Sequence, residues 1–120
     1  MTLALGIDPG TATTGYGLVR LTRDGDLVAV SYGILSTPKD ASPSARLEML
    51  FDQLNDLLRE HKPDTAAVEK LFFQTNVKTA LAVGQARGVI LLCIQKAGLE
   101  PFEYTPNEVK QAVAGYGGAD

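Results

Sequence analysis

A short apolar run, Leu3-Ala4-Leu5-Gly6-Ile7, ends in a single carboxylate, Asp8, and is broken at once by Pro9-Gly10. Thr11-Ala12-Thr13-Thr14-Gly15 then turns the chain into a second apolar run. Proline at position 9 pushes Asp8 towards extended geometry. Asp8 therefore reads as the last residue of a strand, held by a turn. A charge at the end of a buried strand is costly unless something compensates it. Two roles fit. Asp8 can cap the turn by accepting from the N–H groups of Gly10 or Thr11, or it can hold a cation.

Near the middle of the chain the same arrangement returns. Thr65-Ala66-Ala67-Val68 is a second short apolar run, and it ends in Glu69. Between the two lie three clear elements. Gly15 to Leu21 and Leu27 to Ser36 read as strands joined by an Asp24-Gly25 turn. With the first run they form an antiparallel meander. A helix follows, with Ser42 as N-cap and Pro43 at its first position. Its apolar stripe is Leu47, Leu50, Phe51, Leu54, Leu57 and Leu58. Arg59, Glu60, His61 and Lys62 close it, and Pro63-Asp64 stops it. His61 is the only histidine and reads as a surface residue at the helix C-terminus.

A right-handed crossover through this helix lays Thr65–Glu69 parallel to the first strand. Asp8 and Glu69 then share one edge of the sheet. Two like charges side by side need a bridging cation or a proton.

Downstream, Lys70-Leu71-Phe72-Phe73 sets two aromatics beside the candidate site. One of them is expected to fold into the core. The functional reading makes Phe72 and Phe73 a wedge or stacking platform for bases, with Lys70 and Lys78 on phosphates. Val77 to Ala97 reads as a long helix. Gly84 and Gly88 lie one turn apart on it, near Leu81 and Leu91. Glycine inside a helix costs roughly 1 kcal/mol against alanine, so close packing on the sheet or a subunit interface is expected there. Arg87 can pair or contact DNA. Gly98 ends the helix, Glu100 to Tyr104 is a fifth strand, and Thr105-Pro106 opens a further helix whose outer face carries Lys110 and Gln111. Gly115 to Asp120 is a glycine-rich loop, after which the chain looks unfinished.

The composition narrows the classes. At 120 residues the chain suits one domain with a real core. The apolar run Val89 to Ile94 is far too short to span a membrane, and no signal segment opens the chain. Cys93, the single cysteine, reads as a buried thiol in a reducing compartment. No Cys/His cluster suits zinc. A net charge of −3 counts mildly against nucleic-acid binding, although a carboxylate metal site is itself acidic.

The opening Gly-Ile-Asp-x-Gly-Thr stretch resembles the first phosphate-binding hairpin of the actin, Hsp70 and sugar-kinase superfamily. Four motifs in register resemble another family more closely: GIDPG…TGYG, VEKLFF, KTALAVGQARG and FEYTPNEVKQAVAGYG. They are similar to the RuvC family of Holliday-junction resolvases, the crossover junction endodeoxyribonucleases of bacteria, over essentially the whole chain.

The resemblance implies an α/β, RNase H-like fold: a mixed five-stranded sheet, antiparallel at its first three strands, flanked by helices. It implies metal-dependent symmetric nicking of four-way DNA junctions in recombination and repair by a homodimer. The cofactor implied is Mg²⁺, with Mn²⁺ as a substitute. Partners implied are the RuvA and RuvB branch-migration proteins, in the bacterial cytoplasm and at the nucleoid. Asp8 and Glu69 match the first two catalytic carboxylates. Phe72 matches an aromatic at the junction centre, Lys110 a basic residue of the DNA-binding surface, and the helix around Gly84 to Gly88 the dimer interface. The family's other two carboxylates lie on a helix beyond the glycine-rich loop, and Asp120, within the loop, does not replace them. The expectation is thus a single nuclease domain over 1–120 that lacks its C-terminal helix and is weakly active or inactive. Two alternatives stand beside it: a non-catalytic junction-binding or dimerising module, and an actin-like ATP-binding lobe.

Overall fold

The structure is a computed structural model that describes residues 2–10, 13–69 and 77–104, the side chains at 77, 78 and 104 excepted. Its element order is β1 (Thr2–Asp8), β2 (Thr13–Leu21), β3 (Leu27–Ser36), α1 (Pro43–His61), β4 (Thr65–Glu69), α2 (Val77–Lys96) and β5 (Pro101–Tyr104). The five strands form one sheet in the order β3-β2-β1-β4-β5. β1 to β3 are antiparallel neighbours, and β4 and β5 join in parallel. This is the expected mixed sheet. β2 begins two residues earlier than the sequence suggested, because Thr13 and Thr14 already pair with Ser36 and Leu35. The helix expected from Thr105, the glycine-rich loop, Lys110 and Asp120 lie outside the described residues.

Local chemistry sets the element ends. The Ser42 hydroxyl accepts from the Ala45 N–H at 3.2 Å and caps α1. Lys62 closes α1 in the left-handed region, its N–H donating to the Leu58 carbonyl at 2.9 Å. Gly98 takes φ +83° after α2, with Gly98 N–H on Gln95 and Leu99 N–H on Ile94. That pair of bonds is a Schellman motif, which satisfies carbonyls the helix leaves open.

Alternation along the strands decides where the core lies. Leu3, Leu5 and Ile7 of β1, Leu18 of β2, and Ala66 and Val68 of β4 share one face and are buried. Leu50, Leu54, Leu57 and Leu58 of α1 and Ala86, Ile90, Cys93 and Ile94 of α2 pack on that face. The α1 stripe is the one its leucine spacing predicts. Cys93 is fully buried, its thiol 3.7 Å from the Phe51 carbonyl, and burial pushes its pKa up to about 11.

The opposite face is left open by the described residues. One row crosses it from edge to edge: Tyr32, Gly17, Gly6, Ala67 and Phe102. Tyr32 is 82% exposed and Phe102 49%. The three positions between them are small, so the middle of this face is a shallow trough.

Candidate active site

The trough runs into the two carboxylates. In the parallel pairing of β1 and β4, Ala4 lies opposite Thr65 and Ile7 opposite Val68. One residue further, Asp8 is level with Glu69. Both belong to the same alternating set as Gly6 and Ala67, so both point to the open face while Ile7 and Val68 enter the core. Their side chains meet. Partial burial, a side-chain hydrogen bond with Asp8, and the Asp8 charge, in that order of weight, hold the Glu69 carboxyl above its ordinary value. All three act against a second negative charge.

Of the two roles open to Asp8, the contact with the Glu69 carboxyl supports the shared site; the Thr11 N–H of the turn lies outside the described residues. Gly10 serves the turn by its lack of a side chain: a Cβ there would overlap the Thr13 carbonyl oxygen. The hairpin can therefore close tightly just beyond Asp8.

The donor set is one of hard oxygens. Mg²⁺ is commonly held by one or two carboxylates, with waters and substrate phosphates completing its shell. Asp8 and Glu69 fit that demand, and a cation between them would offset their mutual repulsion, one of the causes that raise Glu69 after burial and the Asp8 hydrogen bond. Among the described residues no group of three or more acidic, histidine or cysteine side chains could hold an ion.

The remaining expected residues divide. Lys70, Phe72, Phe73 and Lys110 lie outside the described residues, as does the side chain of Lys78. Arg87, for which pairing and DNA contact were both open, is 18% exposed and pairs with Glu103 of β5 on the core side of the sheet. Leu81 is 63% exposed on α2. A Cβ on Gly84 or Gly88 would meet no atom within 4 Å, so packing on the sheet does not explain either glycine. His61 stands in the last turn of α1, 3.9 Å from Glu60, in the joint that leads into the start of β4. Sequence reasoning missed Asp64. It was read only as a helix stop, whereas its carboxylate and N–H both bond to Leu3. The signal available was a short acceptor side chain between a proline and a strand.

Comparison with known proteins decides the family. Residues 4–120 match the family described as crossover junction endodeoxyribonuclease RuvC. The chain belongs to the RuvC family. A RuvC of Roseiflexus sp. (strain RS-1) is 52% identical over 119 residues, covering 99% of this chain and 70% of its own length. A RuvC of Chloroflexus aggregans is 56% identical over 118 residues, covering 98% and 71%. Among solved structures, Thermus thermophilus RuvC in complex with a Holliday junction substrate superposes with a TM-score of 0.85 at 27% identity, covering 95% of this chain and 71% of that one. The RNase H-like fold expected from the motifs is therefore the fold observed. No helix among the described residues is long and apolar enough to cross a membrane.

Proposed function

We propose that this protein is a structure-specific DNA endonuclease that resolves four-way junctions by metal-dependent nicking. The observation that carries the reading is the meeting of Asp8 and Glu69 at the open edge of the β1–β4 pair. Family membership supplies the reaction class, phosphodiester hydrolysis.

A divalent cation bound by the pair, Mg²⁺ by preference or Mn²⁺, would polarise a phosphate oxygen and lower the pKa of a bound water. The chain's own residues do the rest. Asp8 and Glu69 hold the ion at the sheet edge. Gly6 and Ala67, on the same face, keep the approach clear for a backbone phosphate. Lys70, Lys78 and Lys110 are assigned to phosphate contacts, which position the DNA without reading its sequence. Phe72 and Phe73 are assigned to unstacked bases at the junction centre. Selection of the junction then rests on its shape and deformability.

Symmetric nicking needs two such sites. The exposed α2 face with Leu81, Gly84 and Gly88 is the surface proposed for a two-fold homodimer, in which the same patch serves both subunits. The activity proposed belongs in the bacterial cytoplasm, at the nucleoid during repair, with the RuvA and RuvB proteins as proposed partners.

The test is a Mg²⁺-dependent nicking assay on synthetic four-way junctions, beside a gel shift with four-way and linear DNA. Asp8→Asn and Glu69→Gln should each abolish nicking and leave junction binding intact. Wild-type nicking by Asp8→Asn would refute the assignment. Junction binding without nicking by the unmutated 120-residue chain would make it a binding and dimerising module. Saturable ATP binding would favour the actin-like lobe.

A further inference from the structure

β4 is a short strand with weak side-chain instructions about where to sit. It has five residues, and the two that face the core, Ala66 and Val68, are small and apolar. A slip of one residue against β1 would turn Glu69 into the core, which burial of a carboxylate forbids. A slip of two residues keeps the alternation of faces, leaves one apolar residue of β4 on the core side, brings Asp64 or Lys70 to the other core-facing position, and moves Glu69 about 6.6 Å along the strand. Two carboxylates cannot share an ion after such a move, since Mg²⁺–oxygen bonds are only about 2.1 Å long.

Contacts that favour the observed register lie at the far end of β4. The Leu3 N–H donates to the Asp64 carboxylate at 2.8 Å, and the Asp64 N–H donates to the Leu3 carbonyl at 2.8 Å. These two bonds tie residues 61 positions apart. They sit just ahead of the first β1–β4 partners, Ala4 and Thr65. The joint feeding Asp64 is itself fixed, because Lys62 closes α1 in the left-handed region and Pro63 is buried. A two-residue slip would break both bonds.

We infer that Asp64 is a positioning residue: its clamp on Leu3 selects the β1–β4 register that brings Asp8 level with Glu69. The inference rests on the reading of those two carboxylates as a metal site. In this role Asp64 acts through the strand, by its two bonds to Leu3.

The experiment uses the 120-residue chain and Mn²⁺ alone as probe. Binding is followed by electron paramagnetic resonance, and register by cross-strand nuclear Overhauser effects between Ile7 and Val68. Asp64→Ala should weaken Mn²⁺ binding about tenfold or more, by analogy with outer-shell metal partners, and should lose the Ile7–Val68 signals while the α1 core signals persist. Asp64→Asn keeps the acceptor and should bind within twofold of the unmutated chain. Wild-type affinity and intact signals in Asp64→Ala would overturn the inference, as would equal loss in the alanine and asparagine variants. Should the alanine variant fail to fold, Asp64→Leu, similar in shape to asparagine but without an acceptor, is read in its place. If that also fails, exchange of the Leu3 amide in the intact chain decides: protection like that of the ladder amides supports the clamp, and exchange like an exposed amide overturns it. Asp8→Asn separates the two claims. If it binds Mn²⁺ as the unmutated chain does, the metal-site reading falls and the cross-strand signals alone judge the register.

Discussion

Glu69 carries the chemical tension of this molecule in one side chain. Its carboxyl is raised by partial burial and by Asp8, so the folded chain holds that proton more tightly than the unfolded chain. A raised carboxyl contributes stability that is fully present below the unfolded pKa and is lost as pH rises through the folded value. The metal-free chain should therefore lose stability relative to Glu69→Gln as pH climbs from the ordinary carboxylate range to neutrality. Thermal melts of both proteins in chelator check this, and a stability gap independent of pH would contradict it. At neutral pH, Mg²⁺ at ten times its Kd should restore about 1.4 kcal/mol to the unmutated chain, and much less to the glutamine variant. The same proton competes with the ion, so affinity should fall as pH drops through the raised Glu69 value.

Elements show how far pattern alone reaches. The α1 stripe was legible because six large apolar side chains follow one helical face, and Leu54 at its centre is fully buried. Leu54→Ala should cost about 2–5 kcal/mol in chemical denaturation; a cost under 1 kcal/mol would place Leu54 outside the core. α2 was legible in extent but not in the purpose of its glycines. Both packing on the sheet and a subunit contact explain a small residue in a helix, and the sequence pattern does not separate them. Since a Cβ at Gly88 meets no atom within 4 Å, Gly88→Ala should stabilise the monomer by about 0.5–1 kcal/mol and weaken self-association in sedimentation. Tighter association would argue against this face as the interface. The Arg87–Glu103 pair could not be resolved from sequence, because the partner of a lone arginine depends on which strand lies beneath it.

At the scale of the whole molecule, two short strands ending in carboxylates and one connecting helix were enough to foresee that Asp8 and Glu69 meet. The handedness of the crossover fixes the parallel pairing, and the pairing makes neighbours of residues far apart in sequence. The register was not legible in full, since β4 carries only two core-facing apolar residues, and a clamp from Asp64 leaves no periodic trace. The open face was not legible either. Tyr32 and Ile34 alternate with Gly33 and Leu35 as a strand covered on both sides would, yet 82% of Tyr32 and 64% of Ile34 are exposed among the described residues. The proposed function does not depend on that face. It depends on two acids holding one ion, and titration of the 120-residue chain with Mn²⁺, followed by electron paramagnetic resonance, reads that directly. We expect saturable binding that is lost in both Asp8→Asn and Glu69→Gln. Undiminished binding in either variant would contradict the shared site.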